Sequence, residues 1–200
     1  MNSKSINKIA QFLFKIPEFR NWKEILVALA KDQRPTRVIL RNGVQIDAPE
    51  NCSLLRSVRR VFFKQMYNPS SLAVETNDTV VDIGANIGVF TVFAAYKTQN
   101  TVYAFEPFPE NCEFLNRNIR TNRLHNVRTH AVAVGDKVGR ERIFVSESST
   151  GHSLSDHFVQ GNKETYVEVS TTTLQQIMDE NDLERIDFLK LDCEGSEGAI

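Results

Sequence analysis

One stretch near the middle of the chain constrains the fold more than any other. Residues 80–88 read Val-Val-Asp-Ile-Gly-Ala-Asn-Ile-Gly. The apolar, β-branched run before Gly84 is typical of a strand in a parallel sheet that is covered on both faces. Gly84 permits a sharp turn, and we expect Gly88 to let the next helix pack close to the strand. Because such a helix begins with unpaired N–H groups, the turn can receive a polar or anionic group of a ligand.

A second strand carries an acid that narrows the choice of ligand. Residues 101–106 read Thr-Val-Tyr-Ala-Phe-Glu, and Glu106 lies 22 residues after Gly84. Nucleotide-binding α/β proteins place an acid at a similar distance, where it accepts hydrogen bonds from the ribose hydroxyls. A dinucleotide fingerprint has a glycine at the position where this chain has Asn86. The spacing therefore favours a nucleoside ligand without a diphosphate, and S-adenosylmethionine is the leading candidate.

Several blocks in chain order resemble the FkbM-type S-adenosylmethionine-dependent methyltransferases, over roughly residues 67–200. The blocks are the glycine turn, Glu106-Pro107, Asn118 and Asn122, the segment Ala133-Val134-Gly135-Asp136, and residues 189–197. The resemblance implies an α/β fold with a doubly wound, mainly parallel Rossmann-like sheet, and S-adenosylmethionine as the cofactor.

The predicted cofactor-binding residues surround the glycine turn and the ends of the following strands. They are Asp82, Gly84, Ala85, Asn86, Gly88, Glu106, Pro107 and Asp136. In the family, an acidic or polar residue at the position of Asp136 lies near the adenine amine. A simple Gly-Asp turn is the alternative interpretation of that position.

The remaining patterns predict the order of the strands. Right-handed crossovers place strands at about 79–83, 101–106 and 127–134 side by side in the order 3-2-1. A fourth strand at 186–192 is expected on the other side of the first. An inserted β-hairpin is predicted within residues 139–172.

Residues 1–70 are predicted to form an appendage, and residues 71–200 the methyltransferase domain. The appendage has two short helices, a hairpin with a type I′ turn at Asn42-Gly43, and an amphipathic helix over 54–68. That last helix carries a basic face, which we interpret as solvated, with contact to an anionic substrate as the alternative. The basic residues are Arg56, Arg59, Arg60 and Lys64.

Two acids follow the fourth predicted strand, at the edge where doubly wound proteins place reacting groups. Asp192 is the candidate for orienting or deprotonating the methyl acceptor, and Glu194 is expected to support it or to hold the methionine end of the cofactor. An Asp-x-Glu pair also suggests a divalent cation, but no third ligand is evident, so we predict no metal. His152, in a Ser-rich loop, is a weaker candidate base.

Composition limits the partners and the compartment. The net charge of −1 gives no general electrostatic reason to bind nucleic acid. Three widely spaced cysteines form neither a disulfide framework nor a zinc site, which favours a reducing, cytoplasmic location. We find no signal peptide and no transmembrane run. The expected partner is a small-molecule or glycan acceptor, without nucleic acid or an integral membrane segment, and the oligomeric state is left open.

The sequence thus predicts an S-adenosylmethionine-dependent methyltransferase, most consistent with O-methylation of a sugar, glycan or secondary metabolite. A NAD-dependent oxidoreductase is one alternative. Two features argue against it, namely Asn86 in place of a glycine and the Asp192-x-Glu194 block. A non-catalytic remnant is the other alternative. The sequence stops at Gly198-Ala199-Ile200, one turn into an evident helix, where the family continues with further strands. We therefore expect an incomplete sheet and reduced stability.

Overall fold

A computed structural model of the protein describes residues 16–144, 166–193 and 200. After a 3₁₀ turn at Ile16–Glu18, the N-terminal elements are α1 (Trp22–Ala30), β1 (Arg37–Ile39), β2 (Gln45–Asp47), α2 (Leu54–Val58) and a π-helix at Arg59–Phe63. The later elements are β3 (Val80–Ile83), α3 (Val89–Ala95), β4 (Val102–Phe105), α4 (Pro109–Thr121), β5 (Val127–His130), β6 (Ala133–Val134), β7 (Gly139–Phe144), β8 (Tyr166–Thr172), α5 (Leu174–Glu180) and β9 (Phe188–Leu191).

The centre of the fold is a parallel sheet in the order β5-β4-β3-β9. This confirms the predicted strand order, with the fourth predicted strand beside the first. All four residues of β3 are buried, as expected for a strand covered on both faces. Ile83 pairs in register with Phe105 on one side and with Leu191 on the other. The carboxyl ends of β3, β4 and β9 therefore meet at one edge of the sheet.

The predicted third strand is divided between two sheets, so its predicted extent over 127–134 is wrong. β5 ends at His130, and β6 instead pairs with β8 in a second, three-stranded sheet of order β6-β8-β7. The reason lies in packing, because Ala133 forms a separate apolar cluster with Ile143 and Val169 of the inserted strands. β7 and β8 pair antiparallel, as the inserted hairpin requires.

The hairpin of β1 and β2 is present, but its turn differs from the predicted type I′. Ile39 pairs with Gln45. The Leu40 carbonyl accepts from the Gly43 amide, and the Leu40 amide donates to the Val44 carbonyl. A type I′ turn needs positive φ at both central residues. Here Gly43 has a φ of +95°, whereas Asn42 is not among the residues with positive φ. The connection is therefore a three-residue loop that ends in a left-handed glycine.

Asn118 of α4 and Asn122, the residue that follows the helix, bind the backbone of β2 as a neighbouring strand would. The Asn118 carboxamide donates to the Asp47 carbonyl over 2.9 Å and accepts from the Asp47 amide over 2.8 Å. Asn122 does the same at Gln45, over 2.6 Å and 3.0 Å. Because alternate residues of one strand point the same way, the two side chains satisfy that edge of β2.

The N-terminal elements share a hydrophobic core with the parallel sheet. Ile25 of α1 and Val38 of β1 belong to the same buried cluster as Val80 and Phe90. The division of the chain at residue 70 stays a prediction. Within the described residues, no helix is long and apolar enough to cross a bilayer.

The helix predicted over 54–68 is shorter than expected. Its α-helical part ends at Val58, and the wider π-helical turn closes with the Lys64 amide donating to the Arg59 carbonyl over 2.9 Å. Gln65 then takes a φ of +47°, which ends the helix. Short π-helical turns of this kind occur frequently at functional sites.

Candidate functional site

A cleft lies at the carboxyl edge of the parallel sheet, where β3, β4 and β9 end. The predicted site residues that line it are Gly84, Ala85, Asn86, Glu106, Pro107 and Asp192. Other lining residues come from the π-helix and the segment after it, from α3, α4 and β9, and from the second sheet. They include Arg60, Tyr67, Phe90, Asn111, Val132, Ile143, Lys190 and Cys193.

The turn after β3 requires glycine at residue 84. Gly84 has a φ of +74°, and the amides of Gly84 and Ala85 both donate to the Phe105 carbonyl over 3.0 Å. A Cβ at this position would lie 2.1 Å from the backbone oxygen of Asp192. The turn therefore lies directly against the chain that leaves β9. This contact brings Asp192 beside the turn.

Gly88 also needs a positive φ, of +84°, at the start of α3. A Cβ there would meet Leu115 of α4 at 2.5 Å. The atoms nearest to that Cβ position all belong to Leu115, so Gly88 permits close contact with α4. Its expected role in packing α3 against β3 stays a prediction. Gly88 does not belong to the lining of the cleft.

Glu106 follows β4 and is buried, with 5% of its surface exposed. Its Oε1 accepts from the Phe108 amide at 3.0 Å and from Asn111 Nδ2 at 3.3 Å, and its Oε2 accepts from the Asn86 amide at 2.8 Å. Burial raises the pKa of Glu106, and the hydrogen bonds from Phe108, Asn86 and Asn111 oppose this rise. An ionised carboxylate accepts about four hydrogen bonds. The residue therefore fits a ligand that donates a further hydroxyl in the cleft.

Asp82 and Lys190 form a buried ion pair beneath the glycine turn. Lys190 Nζ lies 2.7 Å from Asp82 Oδ1, and the Thr91 hydroxyl donates to Asp82 Oδ2 over 2.6 Å. Lys190 also donates to the Gly84 carbonyl over 3.0 Å. Asp82 is fully buried and does not line the cleft, although it was predicted among the cofactor-binding residues. Its carboxylate instead holds the lysine that supports the turn.

Asp192 carries a hydrogen bond from Tyr67, which lies far away in sequence. The Tyr67 hydroxyl donates to Asp192 Oδ2 over 2.6 Å, and Arg60 Nη2 donates to the same hydroxyl over 3.3 Å. Burial, the hydrogen bond to Asp192 and its charge raise the pKa of Tyr67, so the phenol stays protonated and donates. The arrangement fixes one oxygen of the carboxylate, and within the described part of the chain the other oxygen accepts no hydrogen bond.

Besides Asp82 and Gly88, the predicted residues Asp136 and Glu194 are absent from the described lining of the cleft. Asp136 is exposed after β6 and is absent from the cleft lining. Glu194 and the weaker candidate His152 lie outside the described residues. Within the described ranges, no three His, Cys, Asp or Glu side chains come together as a metal site.

The sequence analysis did not assign Arg60, Tyr67 and Lys190 to the site. Lys190 could have been found, because a lysine inside an apolar strand next to a buried strand that contains an aspartate needs that partner. Tyr67 had no such signal, since its hydrogen-bond partner Asp192 lies 125 positions away. For Arg60, the sequence offers contact with an anionic substrate only as the alternative interpretation of its basic segment. Arg60 lines the cleft, so the interpretation of the whole basic face as solvated is wrong for this residue.

Comparisons with known proteins agree with this geometry. The family model described as the methyltransferase FkbM domain matches residues 82–200. The 31-O-demethyl-FK506 methyltransferase FkbM of Streptomyces tacrolimicus is 27% identical over 170 residues, which cover 71% of this chain and 65% of that protein. A tRNA(Phe) (4-demethylwyosine(37)-C(7)) aminocarboxypropyltransferase of Methanocaldococcus jannaschii is 31% identical over 117 residues, covering 56% of this chain and 47% of that protein.

Among solved structures, a methyltransferase FkbM from Methylobacillus flagellatus KT aligns with 98% of this chain and 42% of its own, at 15% identity and a TM-score of 0.45. The chain spans 65% and 47% of the lengths of the two relatives named above. The family match covers more than half of the chain and contains the end of β3, Glu106 and Asp192. The chain therefore belongs to the FkbM methyltransferase family, and its cofactor is S-adenosylmethionine.

Proposed function

We propose that the protein transfers the methyl group of S-adenosylmethionine to a hydroxyl oxygen of a sugar, glycan or secondary metabolite, in the cytoplasm. The observation that carries the proposal is the position of Asp192. Its carboxylate lies in the cleft, directly beside the glycine turn, and is oriented by Tyr67. The Streptomyces tacrolimicus relative, named for its action on the 31-O position of a natural product, supports an oxygen acceptor.

The proposed cofactor contacts follow from the cleft lining. Glu106 would accept hydrogen bonds from the ribose hydroxyls. Gly84, Ala85 and Asn86 would bring backbone close to the ligand, and Pro107 would lie beside it. Gly88 and Asp82 would act indirectly, by packing against Leu115 and by holding Lys190. Contact of Asp136 with the adenine amine stays part of the proposal.

The bound cofactor supplies an electrophilic methyl group on a sulfonium. Asp192 would accept the proton of the acceptor hydroxyl while the methyl carbon exchanges its bond to sulfur for a bond to the acceptor oxygen, which leaves S-adenosylhomocysteine. Tyr67 holds the carboxylate in position by donating to Oδ2. The apolar side chains of Ile83, Phe90 and Phe105 line the cleft and limit access of water to the reacting groups.

The test is methyl transfer from labelled S-adenosylmethionine to a panel of monosaccharides, hydroxylated macrolides and tRNA. We expect label in an alkali-stable ether of a hydroxylated small molecule. Asp192→Asn should lower kcat by about 10²- to 10⁴-fold, the usual contribution of a positioned base, with little change in cofactor affinity. The exposed Glu184 serves as a matched control, and Glu184→Gln should keep full activity.

Two results would contradict the proposal. Label on a nitrogen or carbon of tRNA would assign the acceptor to the class on which the archaeal relative acts by its name. Unchanged turnover in Asp192→Asn would show that Asp192 is not the base. No other carboxylate in the described cleft lies at the end of β9.

A further inference from the structure

Arg60 differs from the other basic residues of its segment. Arg56 and Arg59 are exposed, and neither lines the cleft, whereas Arg60 is half-buried and does line it. Arg60 and Val61 both lie in the π-helical turn, where Val61 is buried in the core and Arg60 reaches the cleft. The cation of Arg60 is therefore placed at the site by the fold.

The guanidinium of Arg60 is held in place from one side. Its Nε donates to the sulfur of Met66 over 3.3 Å, its Nη2 donates to the Tyr67 hydroxyl over 3.3 Å, and its Cζ lies 5.8 Å from the centre of the Tyr67 ring. Among the described residues, Arg60 forms no ion pair, and its Nη1 makes no hydrogen bond. An arginine in this state presents N–H donors in a planar fork that matches an oxyanion.

The other cation of the cleft is already neutralised. Lys190 is 6% exposed and its ammonium is paired with Asp82. Arg60 is thus the cation of the described cleft that is available to a ligand. Its Nη2 and the Asp192 Oδ2 lie 3.3 Å and 2.6 Å from the same Tyr67 oxygen, so the two groups are a few ångströms apart.

We propose that Arg60 binds an anionic group of the methyl acceptor, a carboxylate or a phosphate, next to the hydroxyl that Asp192 deprotonates. The inference rests on the proposed function, since it names the class of acceptor for that same site. Acceptors of this class are hydroxy acids and phosphorylated polyols, in which the anion and the hydroxyl are separated by a few bonds. Arg60 acts as a specificity-determining residue that positions the hydroxyl.

The test uses calorimetric titration of glucuronate, inorganic phosphate and neutral glucose into the protein saturated with S-adenosylhomocysteine, at constant ionic strength. We expect glucuronate or phosphate to bind at least about tenfold more tightly than glucose. Arg60→Gln should remove this preference, and Arg60→Lys should retain part of it because the charge remains. The exposed control Arg56→Gln/Arg59→Gln should bind as the unaltered protein does. Thermal unfolding of each variant verifies that it is folded.

The relative affinities of glucuronate and phosphate identify which of the two anions the site prefers. The inference is overturned if neither anion binds better than glucose, or if Arg60→Gln leaves the preference intact. It is also overturned if anion binding falls equally in Arg60→Gln and in the Arg56→Gln/Arg59→Gln control, since that would show a diffuse basic surface. If the unaltered protein does not bind S-adenosylhomocysteine, the proposed function itself is contradicted.

Discussion

Asp82 and Lys190 face each other in the register of two neighbouring buried strands, and their side chains form an ion pair of 2.7 Å. Lys190 extends the interaction to the Gly84 carbonyl. The pair thus connects the β3 and β9 strands to the turn that the cofactor is proposed to contact. It explains how the base of the cleft keeps its shape although both charges are removed from water.

Breaking this ion pair should destabilise the protein strongly. Asp82→Asn leaves the Lys190 ammonium buried without its partner, which typically costs about 3–5 kcal/mol. The free energy of unfolding from urea titration measures the effect. The exposed pair Lys137–Glu141 provides the control, and Glu141→Gln should leave stability nearly unchanged. Equal effects of the two substitutions would contradict this role of the pair.

Alanine at residue 84 should not be tolerated, whereas alanine at residue 135 should be. The Gly84 Cβ position overlaps the Asp192 backbone oxygen, and its φ is positive, so Gly84→Ala should cost at least about 2 kcal/mol. Gly135 has no atom within 4 Å of the corresponding position. Thermal unfolding of both variants measures the difference, and a stable Gly84→Ala protein would show that the turn can be rebuilt.

The stability contribution of Glu106 should depend on pH. Burial raises its pKa in the folded protein above its ordinary value of 4.5. Such a carboxyl binds a proton more readily in the folded state, so its contribution is present below pH 4.5 and is lost as the pH rises through the folded pKa. The stability of Glu106→Gln relative to the unaltered protein should therefore increase as the pH rises above 4.5 and through the raised pKa of the folded protein.

Urea titrations of both proteins across this range provide the measurement. The exposed Glu110, four residues further along the chain, is the matched control, and Glu110→Gln should not reproduce the rise expected of Glu106→Gln. A relative stability that stays constant or moves the opposite way would show that the hydrogen bonds from Asn86 and Phe108 outweigh burial.

Asn118 and Asn122, in the last turn and at the end of α4, should control the attachment of the β1–β2 hairpin. Asn118 is fully buried and also donates to the Ile87 carbonyl over 2.8 Å. Asn118→Ala leaves buried backbone groups unpaired, so it should cost about 1–3 kcal/mol, and the half-buried Asn122→Ala should cost less. Hydrogen exchange should become faster at the amides of Gln45 and Asp47. Unchanged protection of both amides would contradict this role.

The local features of the fold were predictable because they depend on short sequence patterns. The β-branched run before Gly84, the acid at the end of β4 and the acid at the end of β9 each follow from a strand and the residue after it. Parallel strands align their carboxyl ends, so the three features converge without knowledge of side-chain contacts. The FkbM family, the Rossmann-like sheet and the S-adenosylmethionine cofactor are confirmed by the family match. That match also decides against the nicotinamide alternative.

The remaining features depend on contacts between distant segments. The Tyr67–Asp192 hydrogen bond spans 125 positions, and no local pattern reports it. The division of the third strand is decided by the apolar cluster of Ala133 with the inserted hairpin. The interpretation of Asp82 as a cofactor ligand came from its place in the motif, whereas its burial and its lysine partner appear only when β3 and β9 are paired.

Cofactor binding tests the central claim most directly. Calorimetry with S-adenosylmethionine and with NAD should be performed on the unaltered protein, Glu106→Ala and the exposed control Glu110→Ala. The account predicts binding of S-adenosylmethionine alone, weakened by about 1–3 kcal/mol in Glu106→Ala because the ribose hydroxyls lose their acceptor, and unchanged in Glu110→Ala. Binding of NAD, or S-adenosylmethionine affinity that does not depend on Glu106, would contradict it.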